Sequence, residues 1–568
     1  MDDDDSTANV VDGVPQPAYC AEMFWAVTGG FLVVAGLTRL VGLAVARHRR
    51  AAAASGREPF PALPRLVPVR IATGVVSVGR QVAAYTPLTG VRAISGRVPA
   101  LGRILVVMAY FGLIMGLCFY HDGIRDPMNW DAASLRAGWL AIAQLPLIVA
   151  LACKRIFVLD ALTGLSYVSL NFYHRWVARG TIVLATIHMG LQLANWARYD
   201  FIAQGLASEV VYRYGVGAFG VLGYMAVLTA ARPLRRRFFE LFYLNHFVAA
   251  VAFLVVLAKH LMTDSRVYVW GAVGIWAADM LFRSVAAIVL NLRVSRRGGL
   301  RFAADVVAGD RTVRLEIPAD GFALRAGQHV RLTFPTVRGW QTHPFTVASL
   351  PALDGKMSFV VRAKRGLTRV LRDKAVAAGA ALPVHEKSAP LNVPVIVDGP
   401  FGGPARDLKQ FDSVLLVVAG VGASFAVPVL RDILAATVPT PTRRVHMVWI
   451  VRSQSDVDWY TAELGEALAL ATQVAVTVDV FYSKPADGPA PTLFADAAIE
   501  ARPRGELNLH SALLDTVLNA QGESAVAVCG GARLSADVST LYAKVLEYTA
   551  AGTGGCPASY LHTESFEE

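Results

Sequence analysis

The chain has 568 residues, of which 54% are hydrophobic and 17% are charged, and its formal net charge is +11. Soluble proteins carry about 25% charged residues, so this deficit excludes an ordinary soluble protein and indicates membrane-spanning segments. Much of the basic excess lies at the ends of apolar runs without interleaved aromatic residues, which argues against a nucleic-acid partner. The five cysteines form no CxxC pair, so neither a disulfide framework nor a zinc cluster is expected.

Seven apolar runs long enough to cross a lipid bilayer follow one another in the first half of the chain. The first contains MFWAVTGGFLVVAGLTRLVGLAVARHRR and follows an acidic amino terminus that is atypical of a cleaved signal peptide. Residues 51–102 come next, are rich in Ala, Gly, Pro and Arg, and are predicted to form a loop. The other six runs lie near 103–121, 138–153, 173–197, 213–231, 240–262 and 267–291.

Basic clusters follow the first, third, fifth and seventh runs. If all seven runs cross the membrane, these clusters share one side, which the distribution of Arg and Lys marks as the cytosol. We therefore expect a multi-pass protein of the plasma membrane, surrounded by lipid, with its amino terminus outside and its carboxyl half in the cytosol. The cluster residues are Arg47, Arg49, Arg50, Lys154, Arg155, Arg232, Arg235, Arg236, Arg237, Arg293, Arg296 and Arg297.

Two of the apolar runs carry histidines at one spacing, because His174 and His188 lie 14 residues apart and so do His246 and His260. In an α-helix this spacing rises about 21 Å and nearly completes whole turns, so both imidazoles face the same side. One span separates the two runs, which makes them parallel and brings His174 level with His246 and His188 level with His260. The pattern predicts two bis-histidine heme sites. Histidines hydrogen-bonded across a helical bundle are the alternative.

Three further features of these runs suggest supporting roles. Phe253 lies midway between the two histidines of the second pair and nearly on their face, so it is a candidate to pack between hemes or assist electron tunnelling; an ordinary core position is the alternative. Arg179 needs a partner inside a membrane, and a heme propionate is one; snorkelling from the helix end to the membrane surface is the alternative. Asp279 and Arg283 lie four residues apart and are expected to neutralise each other.

After Arg301 the sequence pattern changes. RFAADVVAGDRTVRLEIPADG alternates apolar and polar residues between turn signals, which predicts a small β-barrel. From about residue 411, FDSVLLVVAG, RRVHMVWIVRS and VAVTVDVFYS are apolar strands separated by helical stretches, the pattern of an α/β domain with a mostly parallel sheet.

The segment VVAGVGASFAVP follows the first of these strands and opens a helix. Gly420 and Gly422 free the turn, and the amino terminus of the helix favours a pyrophosphate. The next strand ends in VWIVRS. A carboxylate at this strand end would bind the 2′-hydroxyl of a ribose, but the residues present are Arg452 and Ser453. These residues favour a 2′-phosphate, and therefore NADPH over NADH.

Five motifs occur in order along the second half of the chain. They resemble the flavin and nicotinamide domains of the ferric reductase / NADPH oxidase superfamily, and the histidine pairs match that family's heme spans. The resemblance covers about residues 104–568. The motifs are HPFTVASL (343–350), VVRAKRGLT (360–368), DGPFGGP (398–404), VVAGVGASFAVPVLRDI (417–433) and VCGG (528–531).

The resemblance implies FAD, two b-type hemes and NADPH as cofactors. Arg362 suits a diphosphate, and Thr368 is expected to cap the following helix toward phosphate. Cys529 is expected beside the nicotinamide, with a buried structural thiol as the alternative, and Phe566 is the candidate aromatic that covers the flavin. The residues expected at the FAD site are His343, Pro344, Phe345, Thr346, Ser349, Arg362, Gly366, Thr368, Gly399, Pro400, Phe401 and Gly402. Those expected at the NADPH site are Gly420, Gly422, Ala423, Ser424, Arg452, Ser453, Cys529 and Gly530.

The expected fold is a six-helix heme-binding bundle with one extra amino-terminal span, followed by a ferredoxin-reductase-like half. The predicted domains are an amino-terminal span and loop, a transmembrane heme-binding domain, an FAD-binding β-barrel and an NADP-binding α/β domain. Their bounds are 1–102, 103–297, 298–405 and 406–568.

The expected function is electron transfer from cytosolic NADPH, through FAD and two hemes, to an acceptor on the far side of the membrane. The extra first span and the lack of an EF-hand pattern favour a ferric or cupric chelate as the acceptor. An NADPH oxidase that makes superoxide from oxygen is one alternative, and a cytochrome b with a non-catalytic docking module is another. Asp122, Asp126 and Asp264 would attract metal ions, unless they are only solvated loop charges. A homo-oligomer is left open.

Overall fold

The computed structural model describes most of the chain, and it divides into two compact units. The helical unit comprises Met1–Leu40 and Leu105–Ser284, and the sheet unit comprises Val41–Ile104 and Val285–Glu568. The residues that the structure describes are 10–11, 14–56, 58–64, 67–87, 98–120, 130–154, 157–292, 301–309, 311–339, 341–364, 366–379, 390–452, 454–483, 499–503, 507–550 and 556–565.

Twelve α-helices are described between a short hairpin (β1, Val10–Val11; β2, Val14–Pro15) and residue 292. They include seven apolar segments long enough to cross a membrane, which confirms the seven predicted spans. The helices are α1 Pro17–Ser55, α2 Val67–Ala84, α3 Leu101–Phe119, α4 Trp130–Ala143, α5 Leu145–Ala152, α6 Phe157–Thr163, α7 Tyr167–Ala197, α8 Ile202–Ser208, α9 Val210–Ala230, α10 Arg232–Arg237, α11 Phe239–His260 and α12 Val267–Asn291.

The third span is formed by two helices, because α4 and α5 are interrupted at Gln144, just before Pro146. Proline lacks the backbone N–H that a continuous helix would use at this point. The long helix α7 packs mainly against α4 and α5, while α11 packs against α9. In the last span, Arg283 Nη1 lies 3.8 Å from Asp279 Oδ2, as the four-residue spacing predicts.

The barrel of the sheet unit has six antiparallel strands in the order β6-β5-β8-β3-β4-β7. Its alternating sequence places Phe302, Ala304 and Val306 inside, with the residues between them less buried. The strands are β3 Phe302–Ala308, β4 Thr312–Pro318, β5 His329–Thr333, β6 Thr342–Thr346, β7 Lys356–Arg362 and β8 Leu391–Phe401. The helices here are α13 Pro335–Arg338, α14 Pro351–Asp354 and α15 Leu367–Ala377.

The second sheet of this unit has six parallel strands in the order β12-β11-β10-β9-β13-β14. Its central strand β9 is apolar and buried almost throughout, as a strand covered by helices on both faces must be. The strands are β9 Ser413–Ala419, β10 Arg444–Val451, β11 Ala475–Tyr482, β12 Ile499–Pro503, β13 Ser524–Gly530 and β14 Ser559–Ser565. The helices are α16 Ala423–Leu434, α17 Gln454–Asp458, α18 Thr461–Ala469, α19 Leu509–Leu518 and α20 Ala532–Ala550.

The prediction of a loop over residues 51–102 is wrong, because α2 lies within it. This helix packs against α20 and β14 of the parallel sheet. Arg80 donates a hydrogen bond to the carbonyl of Ser559 at 2.9 Å, and Thr540 donates one to the carbonyl of Thr86 at 3.3 Å. The stability of a helix of this length depends on tertiary packing more than on helix propensity. Composition alone therefore does not predict it.

Candidate functional site

The two histidine pairs meet across helices α7 and α11. The ring centroids of His174 and His246 lie 6.5 Å apart, and those of His188 and His260 lie 6.3 Å apart. Helical periodicity therefore brings together the partners that the sequence predicts, at two levels of one bundle. Two imidazoles on opposite sides of a metal ion, each bonded at about 2 Å, place their ring centroids roughly 6 Å apart.

Backbone carbonyls fix the orientation of three of these four rings. His174 Nδ1 donates to the carbonyl of Ile148 at 2.9 Å, and His260 Nδ1 donates to the carbonyl of Val211 at 3.0 Å. His188 Nδ1 donates to the carbonyl of Ser134 at 2.8 Å. A carbonyl only accepts, so each Nδ1 carries the proton and each Nε2 keeps its lone pair for a metal. In the fourth ring, His246, the buried Nδ1 has no hydrogen-bond partner among the described residues.

Glycines let the rings of His188 and His260 pack directly against helix backbones. A Cβ atom at Gly138 of α4 would lie 3.1 Å from His188 Nδ1, and one at Gly215 of α9 would lie 2.7 Å from a carbon of the His260 ring. Within the described residues, no third His, Cys, Asp or Glu joins either pair. Two nitrogen ligands per level fit the axial positions of a heme iron, whose other four ligands come from the porphyrin.

The other candidates in the bundle lie in less specific surroundings. Phe253 packs against the apolar cluster that includes Ile142 and Leu257. Arg179 places its guanidinium 4.7 Å from the ring centroid of Trp176 and donates to the carbonyl of Arg175. A role for Phe253 between hemes and a propionate contact for Arg179 stay predictions.

The predicted flavin motif HPFT lies in β6, one of the two terminal strands in the strand order of the barrel. Pro344 is exposed, while His343, Phe345 and Thr346 are half-buried, and within the described residues β6 pairs with one strand, β5. An edge strand leaves room for a ring system beside it. Arg362 is exposed at the end of β7, and Gly366 follows with a φ of 75°, a conformation that glycine adopts without strain.

Two hydroxyl groups that are predicted to bind cofactors form hydrogen bonds with the protein backbone. Ser349 donates to the carbonyl of Lys356 at 2.9 Å and accepts from the N–H of Ser358 at 2.8 Å, so its hydroxyl ties β7 in place. The prediction that Thr368 caps the following helix is wrong, because Gly366 occupies the N-cap of α15. The Thr368 hydroxyl instead accepts from the N–H of Lys364 at 3.0 Å.

His329 is a candidate that sequence reasoning missed. It begins β5 and lies in register with Thr346 on one side and Phe401 on the other, in the middle of the predicted flavin residues. Its ring lies 6.0 Å from that of Phe401 and packs on Gly402, where φ is 63° and a Cβ would come within 2.8 Å. Burial lowers the pKa of His329, against a smaller opposite effect of the Glu564 charge. Only the strand register reveals this position. Gly399 and Pro400, two further residues of the predicted flavin set, lie near the end of β8 just before Gly402.

The nucleotide candidates gather at the switch point of the parallel sheet. Strand β9 continues to β10 on one side and pairs with β13 on the other, and ligands bind outside the carboxyl ends of strands at such a point. Gly420 follows β9 in a 3-10 turn and Cys529–Gly530 ends β13. A Cβ at Gly530 would lie 3.4 Å from that of Ala419, so the two strand ends are close.

The turn after β9 is held by buried side chains. Trp449 donates its indole N–H to the carbonyl of Gly420 at 3.0 Å. Ser424, at the start of α16, lies 2.6 Å from the hydroxyl of the buried Tyr460, so it serves the packing of the turn. Ala423 is buried, and Gly422 is the N-cap of α16, which leaves the amino terminus of this helix facing the switch point.

Other nucleotide candidates differ in their surroundings. Arg452 is exposed just after β10, and its backbone N–H donates to the carboxylate of Asp456 at 3.1 Å. Cys529 is 1% exposed, and burial, with a smaller contribution from Glu564, raises its pKa well above the ordinary value of 9.0. Ser453 and Phe566 lie outside the described residues.

Three family models match the chain in succession. A ferric reductase like transmembrane component matches residues 137–257, an FAD-binding domain matches residues 300–405, and a ferric reductase NAD binding domain matches residues 411–493. The first covers most of the histidine-bearing bundle, and the other two cover the barrel and the first strands of the parallel sheet.

Curated relatives agree with these matches. The chain is 26% identical over 418 residues to "Ferric/cupric reductase transmembrane component 7" of Saccharomyces cerevisiae, an alignment that spans 71% of this chain and 64% of the relative. It is 28% identical to "Probable cell surface ferric reductase kap2" of Aspergillus oryzae, over 67% of this chain and 52% of the relative. The alignments thus cover between about half and two thirds of these relatives' lengths.

Fold and matches together define a class: a membrane bundle joined to FAD-binding and NAD-binding domains, the architecture of a membrane-bound oxidoreductase. Within that class, the three consecutive matches and the curated relatives support the ferric reductase superfamily.

Proposed function

We propose that the protein transfers electrons from NADPH, through FAD and two b-type hemes, to a ferric or cupric chelate on the opposite side of the membrane. The observation that carries this proposal is the pair of facing imidazoles at each of two levels, 6.5 and 6.3 Å apart between ring centroids. When bound, FAD supplies the conversion from hydride transfer to single-electron transfer, and heme iron carries electrons singly.

The histidines would hold each heme from both sides. Three of them offer Nε2 because Nδ1 is already engaged with a carbonyl, which fixes the imidazole plane and strengthens the ligand. Hemes held in this way by protein nitrogens would supply single-electron transfer toward the acceptor.

The sheet unit would bind the electron donor at its switch point. The amino terminus of α16 suits the pyrophosphate, and the exposed Arg452 suits a 2′-phosphate, which favours NADPH. The neutral thiol of Cys529 lies at the end of β13, where it would contact the nicotinamide. Residues of the edge strand β6 would hold the flavin, and Arg362 is the candidate partner of its diphosphate. Phe566, which lies outside the described residues, stays the candidate aromatic for the flavin.

A metal chelate is favoured over oxygen because the relatives are named as ferric or cupric reductases. Asp264, which would face the outer side, is exposed and is a candidate for attracting metal cations. Asp122 and Asp126 lie outside the described residues. The basic clusters after alternate spans support the proposed orientation, with residues 298–568 in the cytosol of a cell whose plasma membrane holds the bundle.

The test is an acceptor assay on the purified protein in lipid nanodiscs. With NADPH and a ferric chelate, we expect chelate reduction that persists when superoxide dismutase is present. Reduction abolished by dismutase would identify a superoxide-producing oxidase instead. Failure to oxidise NADPH with any acceptor, in protein that retains its flavin, would identify a docking module and reject the proposal.

A further inference from the structure

One carboxylate in the sheet unit is shared by two arginines. Arg49 Nη2 lies 2.5 Å from Glu523 Oε1, and Arg406 Nη1 lies 3.9 Å from the other oxygen of this carboxylate. The side chains of Arg49 and Glu523 are only 6% and 7% exposed. Two guanidinium groups and one carboxylate leave an excess positive charge in a largely desolvated place.

A third arginine adds to this excess. Arg80, from α2, donates to a backbone carbonyl of β14, and the Arg406 guanidinium lies 5.7 Å from the ring centroid of the adjacent Tyr560. Burial, together with the nearby charge of Arg80, lowers the pKa of Arg406. The neighbouring Arg50 lies 3.2 Å from Asp407, so that pair adds no net charge.

Arg49 also has an unsatisfied donor. Its Nη1 is buried and has no hydrogen-bond partner among the residues that the structure describes, and the residue as a whole is 5% exposed. Leaving a buried donor unpaired costs of the order of 1–3 kcal/mol, and more when the group is charged. An anion with several acceptor oxygens would satisfy this donor and balance the excess charge.

We propose that Arg49, Arg80 and Arg406 form a binding site for a phosphate group. Guanidinium forks match the oxygens of a phosphate, and three of them can surround one tetrahedral group. The site adjoins Glu523, which precedes β13, whereas Cys529 lies at the opposite end of that strand. It is therefore separate from the proposed nucleotide site at the carboxyl ends of the strands, and it does not depend on the proposed electron transfer.

Two sources present this chemistry. Arg49 lies in the last turns of α1, the helix that contains the first candidate span, so a phosphorylated lipid headgroup is one source. Free inorganic phosphate is the other. Because Arg406 lies in the connection between β8 and β9, a bound phosphate would link α1 to the chain segment that joins the barrel to the parallel sheet.

The first arm of the test uses the full-length protein in a maltoside detergent with saturating NADP⁺, which fills the nucleotide site. Equilibrium dialysis with labelled inorganic phosphate should show saturable binding. Arg80→Gln and Arg406→Gln should each weaken it by about tenfold, the loss expected for one charge-assisted hydrogen bond. Glu523→Gln removes the carboxylate that competes with phosphate for the arginines, so this variant should bind phosphate more tightly. Arg444→Gln, on a surface arginine 3.2 Å from Asp515, is the matched control and should leave it unchanged.

The second arm compares thermal unfolding in phosphatidylcholine nanodiscs with and without phosphatidic acid. Stabilisation by phosphatidic acid that Arg406→Gln removes supports the site with lipid as the source, and phosphate binding in detergent supports it with free phosphate as the source. The proposal is overturned if neither ligand binds, or if the Arg80 and Arg406 variants, folded and flavin-loaded, bind as the unsubstituted protein does.

Discussion

The helical unit and the sheet unit differ in how closely their candidate residues could be located from sequence. In the helical unit, one helical spacing of 14 residues locates both histidines of each helix. The structure then places His174 beside His246, and His188 beside His260, as expected. In the sheet unit, the candidates come from strand ends and turns. Two of them, Ser349 and Ser424, form hydrogen bonds within the protein instead of remaining available to a ligand. A helix fixes side-chain direction over 14 residues, whereas a turn depends on what packs around it.

The largest expected effect is on a heme ligand. His188→Ala removes one imidazole of the His188–His260 pair, so the heme content should fall from two per chain to one and chelate reduction should fall to background. NADPH-dependent flavin reduction should persist, because the flavin and nucleotide candidates lie in the sheet unit. Pyridine hemochrome assay and stopped-flow absorbance measure these two quantities. A variant that keeps both hemes would show that the ligand is misassigned.

The next effect concerns the nucleotide. Arg452→Gln should raise the KM for NADPH by about tenfold, since a charge-assisted hydrogen bond to the 2′-phosphate is lost. The KM for NADH should stay the same, because NADH lacks that phosphate. Steady-state kinetics with both donors provides the comparison, and an equal rise for both would remove Arg452 from the 2′-phosphate site.

A smaller effect is expected from Gly215, which packs against the His260 ring. Gly215→Ala places a methyl group 2.7 Å from a carbon of the His260 ring, so the imidazole must shift and heme retention should weaken by about 1–3 kcal/mol. Gly220→Ala, on the same helix, is the matched control, because nothing among the described atoms lies within 4 Å of its added carbon. Heme release on heating, followed by absorbance, compares the heme retention of the two variants. Equal release in both would argue against close packing at Gly215.

The smallest effect is the pH response of Cys529. Burial raises the pKa of this thiol well above 9.0, so the protonated form persists throughout the neutral range. The rate of flavin reduction by NADPH should therefore have the same pH profile between pH 6 and pH 8.5 in the unsubstituted protein and in Cys529→Ser, without an inflection that depends on the thiol. An inflection in that range, present in the unsubstituted protein and absent from the serine variant, would mean that a thiolate forms.

Much of the fold follows from sequence because its signals are local. Seven apolar runs identify the spans, and alternating residues such as Phe302 to Val306 identify barrel strands. Helix α2 could not be recognised, since its stability depends on packing against α20 far along the chain. His329 was missed for a related reason: its position between Thr346 and Phe401 is set by strand pairing, which no short motif encodes.

The most direct test of the account is the heme content of the purified, unsubstituted protein. Two imidazole pairs predict two low-spin b-type hemes per chain, measured by the pyridine hemochrome spectrum against protein concentration by amino-acid analysis. A preparation that folds and retains its flavin but binds a single heme, or none, would contradict the proposed path across the membrane.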